Sequence, residues 1–131
     1  MTIIDFFKRD RFAMNAGVDL LEVGNGYAKA RMRVTPEHLN GVGVCQGGAL
    51  FTLADLACAA AMNSHLVLTL GTSANITFVA NVSEGYVYAE AHELVDHPKM
   101  PYCEVRVTDE TGRLLAIFTS SGYRKKQEIV L

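Results

Sequence analysis

Hydrophobic and polar positions change rhythm along this chain, and each change marks an element. Over residues 2 to about 16, Ile3, Ile4, Phe6, Phe7, Phe12 and Met14 recur with charges between them, the pattern of a short amphipathic helix ending near Gly17. From Tyr27 to Val34 the period shortens to two. Ala28, Ala30, Met32 and Val34 alternate with Lys29, Arg31 and Arg33, which predicts a strand with one buried and one wet face. Pro36 stops it, and "EHLNGVGVCQGG" places four glycines in a loop whose backbone can come close to another group. Residues 47 to about 63 are alanine-rich, proline-free and apolar nearly all round, so they predict a long buried helix. Period two returns over 73–79, 86–95, 102–108 and 114–123, separated by the turn-forming runs "NVSEGY", "DHPKMP" and "DETGR".

The predicted order is therefore a helix, a strand, a long helix and four further strands. Links this short join antiparallel neighbours. A helix that is apolar all round needs cover on most sides, and one antiparallel sheet of five or six strands can curl around it, an α+β architecture. A second copy of the chain would close what the sheet leaves open and hide an edge strand, giving a two-fold dimer. With 131 residues, half of them hydrophobic, the chain suits one domain spanning 1–131.

Composition narrows the classes of function. A formal net charge of −2 and scattered basic residues give no footprint for nucleic acid. The start "MTIIDFFKRDRF" is too charged for a signal region, and no stretch reaches about 18 uncharged apolar residues, so no membrane span is predicted and the cytoplasm is the expected setting. Cys45, Cys58 and Cys103 are odd in number and show no C-x-x-C spacing, and His38, His65, His92 and His97 lack ligand spacing. Neither a disulfide framework nor a metal site is expected.

One residue stands against this apolar background. Asp55 is the sole charged side chain between Gly47 and Asn63. A carboxylate there either bonds Thr52, a backbone amide or a partner subunit, or has its pKa raised by desolvation and serves as a base or nucleophile. Upstream, a helix opening at Gly47-Gly48 presents unpaired N–H groups and a positive dipole end, suited to a developing oxyanion. The eight residues between Gly47 and Asp55 span about 12 Å of helix, so the two can act on one carbonyl only across subunits. Cys45, near the helix start, is a rival nucleophile, although no histidine base accompanies it in sequence.

The segment "LNGVGVCQGGALFTLADLACAAAMN" resembles the signature of the hotdog-fold acyl-CoA thioesterases of the phenylacetate-degradation type, within the 4-hydroxybenzoyl-CoA thioesterase superfamily. Asn, a Gly-Gly pair and Asp recur there at this spacing, and the resemblance runs from about residue 12 to 125, through "GNGYAKARMRVTPEHLN", "SANITFVANV" and "VRVTDETGRLLAIFTSSGYR". It implies a dimer or dimer of dimers that hydrolyses an acyl- or aryl-CoA thioester, with no metal and no cofactor beyond the coenzyme A of the substrate. It implies that the Gly47 N–H, with Gly48, polarises the carbonyl and that Asp55 of the other subunit is general base or nucleophile. Asn40 would hold the water or acyl carbonyl; its alternative is a turn-capping residue before Gly41. Thr72 or Ser73 would supply a hydroxyl beside the carboxylate. The resemblance breaks at one place, where the usual His-Gly-Gly has Gln46, which can bond but not titrate near neutral pH.

Coenzyme A also needs cations for its phosphates, for which Lys99 and the run Arg124, Lys125, Lys126 are candidates, unless that run is a solvated tail. Phe6, Phe7, Phe12 and Met14 either cover an acyl pocket or cap the core. The alternative function is a non-catalytic acyl-CoA binding or sensing domain; a dehydratase is disfavoured because His38 and Asp55 do not match the spacing of that chemistry.

Overall fold

Alanine decides how the long helix meets the sheet. The computed structural model describes residues 1–131, with helices α1 (Ile3–Phe7), α2 (Arg11–Ala16) and α3 (Gly47–Met62) and strands β1 (Val18–Gly24), β2 (Tyr27–Val34), β3 (Val67–Phe78), β4 (Gly85–Val95), β5 (Tyr102–Asp109) and β6 (Leu114–Glu128). On α3, Ala54, Ala57, Ala60 and Ala61 are fully or almost fully buried, and so are Ala28 and Ala30 of β2 and Ala89 and Ala91 of β4. Small side chains on both surfaces let the helix axis come close to the middle of the sheet. Larger residues, Met32, Val87, Val105, Val107 and Phe118, fill the space beside it.

The six strands form one antiparallel sheet in the order β1-β2-β4-β5-β6-β3, wrapped around α3. This is the α+β hotdog arrangement. No helix is long and apolar enough to cross a membrane.

Several elements differ from the sequence expectation, each for a local reason. The first helix is two. Asp10 is extended and its Oδ1 accepts from Ala13 N at 3.0 Å, which ends one helix and caps the next. Strand β1 escaped detection because a bulge between Leu20 and Glu22 shifts its phase and its burial does not alternate. Strand β3 starts at Val67 rather than 73, and bulges at Val67/Thr69 and Gly71/Ser73 break its period. Strand β6 continues past 123 to Glu128. Nor is α3 buried all round: Gly48 and Asp55 are exposed, as is the capping Gln46, and Phe51, Thr52 and Ala59 are half-buried.

Both ends of α3 are fastened. The Gln46 side chain accepts from Gly48 N at the start. At the end Asn63 donates through Nδ2 to the carbonyls of Ala59 at 2.8 Å and Thr69 at 3.0 Å, and its Oδ1 accepts from Thr69 N at 2.8 Å. One buried side chain thus closes the helix and aims the strand that follows.

Candidate active site

Strand β3 is an edge strand, hydrogen-bonded only to β6, and it lies along the open side of α3. Two cavities line this seam. One, of about 400 Å³, joins Asn40, Val44 and Gly47 to Leu50 of α3 and to Phe78 at the far end of β3. The other, of about 560 Å³, joins Asp55 to Ala59, Met62, Thr72 and Ser73, with Phe6 and Phe7 of α1 alongside. The chain therefore brings Asn40 together with Gly47, and Asp55 together with Thr72 and Ser73, as two separate candidate half-sites.

The donor half-site is set by the loop before α3. Asn40 Oδ1 accepts from Val42 N at 3.0 Å and Val44 N at 3.2 Å, while Asn40 N donates to the Val44 carbonyl at 2.8 Å. Asn40 therefore does shape the turn, and its side-chain Nδ2 has no protein partner. Gly47, the first helical residue, has no intramolecular acceptor for its N–H, as helix geometry requires. A Cβ on Gly47 would lie 2.8 Å from Phe78 Cζ, so only glycine leaves this ring in place. The Gly48 N–H is different: Gln46 Oε1 already takes it, so of the two glycine amides only that of Gly47 is free. Gln46 and Gly48 face a third cavity, with Phe12 and Thr52.

The acid half-site is less enclosed than the sequence suggests. Asp55 is exposed to solvent within a single protomer rather than sunk in the core. Thr52 does not bond it, because Thr52 Oγ1 donates instead to the Gly48 carbonyl at 2.8 Å. The carboxylate has no hydrogen-bond partner in the chain. Although water reaches it, the surrounding protein removes enough solvent to push the carboxyl above its ordinary value of 3.8, and the negative charge of Asp10 pushes it further. Thr72 Oγ1 is committed to the Ser121 carbonyl at 3.2 Å, whereas the Ser73 hydroxyl is unpartnered. Sequence reasoning missed Asp10 as a neighbour of Asp55, since only the break between α1 and α2 brings it there.

The other candidates sort by burial. The Cys45 thiol is buried, which raises its pKa and works against a thiolate at the helix start. Lys99 is exposed on the link between β4 and β5 and lines neither half-site. Arg124 is not a solvated tail residue. Its guanidinium is buried, with Nη2 donating to Glu93 at 2.7 Å and Nη1 to Asp96 and to the His97 carbonyl. His65 Nε2 joins the same group, 2.7 Å from Glu93. The ligand atoms of His65, Glu93 and Asp96 lie within 4.8 Å of one another, the spacing a metal ion would need, but Arg124 already supplies positive charge to both carboxylates.

The thioesterase superfamily pattern matches residues 42–116, more than half of the chain and the stretch that carries Gly47, Asp55 and β3. The chain belongs to the thioesterase superfamily. Within that superfamily, a proposed esterase of Archaeoglobus fulgidus is 37% identical over 123 residues, covering 93% of this chain and 80% of that protein. The acyl-coenzyme A thioesterase PaaI of Escherichia coli is 27% identical over 119 residues, covering 90% of this chain and 85% of its own. The structure of the E. coli PaaI protein superimposes with a TM-score of 0.91 at 26% identity, covering 96% of this chain and 92% of that one. The superfamily places this chain among thioester-cleaving enzymes, with the hotdog fold common to it and PaaI.

Proposed function

We propose that this thioesterase hydrolyses acyl-CoA thioesters as a two-fold dimer whose two active sites each combine half-sites from both subunits. The observation that carries the reading is the separation along one edge strand of a free amide donor at Gly47 from an unpartnered carboxylate at Asp55. The Gly47 cavity touches Phe78, and the Asp55 cavity touches Gly71 to Ala74. If two copies of β3 pair antiparallel about a two-fold axis near Ala74 and Asn75, Phe78 of one chain faces Gly71 of its mate, and each donor meets a carboxylate. Exposed Leu70 and Phe78 on this strand, and Val79 just after it, would be covered by the same contact.

In this arrangement the substrate carbonyl accepts from the Gly47 N–H, which stabilises the oxyanion as charge develops there. Asp55 of the partner subunit either takes a proton from water as that water attacks the carbonyl carbon, or attacks that carbon itself to form an acyl anhydride that a water then cleaves; coenzyme A leaves as the thiolate and takes up the proton the water gives up. Asn40 Nδ2 and the Ser73 hydroxyl are the free polar groups that would hold the water or the acyl oxygen. Gln46 holds the loop through Gly48 N, an orienting role that needs no titrating group. PaaI, similar to this chain, bears the name of an acyl-CoA thioesterase, and that supports acyl-CoA as the substrate class.

The test is thiol release from a panel of acyl-CoAs, combined with subunit mixing. Gly47→Pro removes the amide donor at the first helical position, where the backbone tolerates proline, with Gly47→Ala, which adds the same Cβ against Phe78 but keeps the N–H, as its control; Asp55→Asn removes the carboxylate. Gly47→Pro and Asp55→Asn should each be inactive alone. Because heterodimers keep one intact site, a re-equilibrated mixture should regain about a quarter of wild-type activity. A mixture as inactive as its components would sink the shared site.

A further inference from the structure

The face of α3 that carries Asp55 continues along the helix as Ala59, Met62 and Asn63, at offsets of four, seven and eight residues that keep side chains on one face. Opposite runs β3 from Leu68 to Ala74, and α1 closes the side. Half of the 14 residues lining this channel are hydrophobic, and Asp55 is the only charged one. The polar groups at its inner end are already matched. Asn63 is fully engaged with Ala59 and Thr69, Thr69 Oγ1 donates to the Val67 carbonyl at 2.9 Å, and Ser120 Oγ donates to the Ser73 carbonyl at 2.8 Å. No cation lines the channel to meet a phosphate or carboxylate, and the donors at the inner end are already used within the chain.

We infer that this channel is the acyl pocket of the enzyme, that it takes an uncharged apolar acyl group of medium length, and that Ala59 sets its width and Met62 its depth. The inference rests on the acyl-CoA reading above. From Asp55 to Met62 the helix rises about 10 Å, room for a straight chain of about eight carbons or a benzene ring with a short methylene spacer. Ala59 is half-buried one turn beyond Asp55, where a larger side chain would project into the channel. Met62 is buried at the end, and its sulfur occupies the space that Gly122 leaves free: a Cβ on Gly122 would sit 3.0 Å from Met62 Sδ. Packed against that glycine, the methionine closes the end of the channel.

The experiment is a chain-length series from acetyl-CoA to palmitoyl-CoA with the wild-type protein, Ala59→Leu and Met62→Ala. For the wild type, kcat/KM should rise about fourfold per methylene up to about octanoyl and fall beyond it. Ala59→Leu should lower the ratio of octanoyl-CoA to acetyl-CoA kcat/KM by at least about a hundredfold, a change of the size expected when several methylenes are excluded. Met62→Ala should move the optimum to longer chains; should it fail to fold, Ala59→Leu decides alone. An unchanged length ranking in the variants overturns the assignment. Non-hydrolysable thioether analogues of the same lengths, titrated calorimetrically, separate this inference from the proposed activity. Affinity that follows length and shifts with Ala59→Leu, in a protein that hydrolyses none of the esters, would retain the pocket and end the hydrolase reading. Affinity indifferent to length would end the pocket even where hydrolysis occurs.

Discussion

Two carboxylates of this protein, Asp55 and Glu93, are placed in opposite ways. Glu93 lies at the end of β4 with its side chain almost sealed, and it receives Arg124 on one oxygen and His65 on the other, each at 2.7 Å. Asp55 is open to water, yet it has no partner in its own chain. The cluster around Glu93 also joins His65 of the turn after α3 to Arg124 of β6, so its bonds tie the ends of several elements. A carboxylate with every oxygen matched stabilises the fold and has no capacity left for chemistry. One that remains unmatched, with its protonated form favoured by desolvation, costs stability and is available to a substrate.

The contrast is testable in order of expected effect. Asp55→Asn should lower kcat by about three orders of magnitude, the scale of a lost general base, with KM within about threefold and the fold intact. Unchanged turnover would remove Asp55 from the mechanism. Arg124→Met should do the reverse. It leaves Glu93 buried without its cation, so urea unfolding should register a loss of about 3 kcal/mol, while kcat at low temperature stays near wild type. A loss below about 0.5 kcal/mol would mean that the cluster contributes no more than a surface pair.

The pH dependence should separate the two sites next. A base must be ionised to work, so kcat/KM should fall about tenfold per unit as pH drops below the raised pKa of Asp55, and Asp55→Asn should abolish that limb. Because the folded protein holds the Asp55 proton more tightly than the unfolded chain, its ionisation weakens the fold. Asp55→Asn should therefore be stabilising at neutral pH, with the gain disappearing as pH falls toward 3.8 and both states become protonated. Asp96 has the opposite sign. Its hydrogen bond from Arg124 holds its pKa below the ordinary value, so its contribution is present above 3.8 and is lost as pH falls through the depressed value. Denaturation midpoints across the acid range would show both. The smallest effect belongs to Gln46→Ala, which frees the Gly48 N–H and should cost about 1 kcal/mol in a denaturant titration with little change in kcat.

Much of the fold is legible in the sequence wherever one side of an element faces the core. Strands β2, β4 and β5 alternate cleanly, and α3 is long, alanine-rich and free of breakers. Bulged elements are not legible: β1 and the start of β3 lose their period where an extra residue turns side chains to the other face. The candidate site divides in the same manner. Gly47, Asp55 and Asn40 stand out by residue type and spacing, because a glycine pair opening a helix and a lone charge in an apolar run are local anomalies. The contribution of Asp10 to Asp55, the channel from Ala59 to Met62 and the burial of Arg124 depend on residues distant in sequence, and no local pattern marks them.

The sequence by itself determined the long helix, the strands whose alternation is unbroken, and which residues are candidates for the chemistry, since periodicity and composition act over a few neighbouring positions. Only the tertiary structure decided that Gly47 and Asp55 fall in separate cavities along one edge strand, that Gln46 takes the Gly48 amide, and that Arg124 serves the fold. Hydrogen bonds and desolvation depend on atoms brought together by folding, and the chain reports those neighbours only once it has packed.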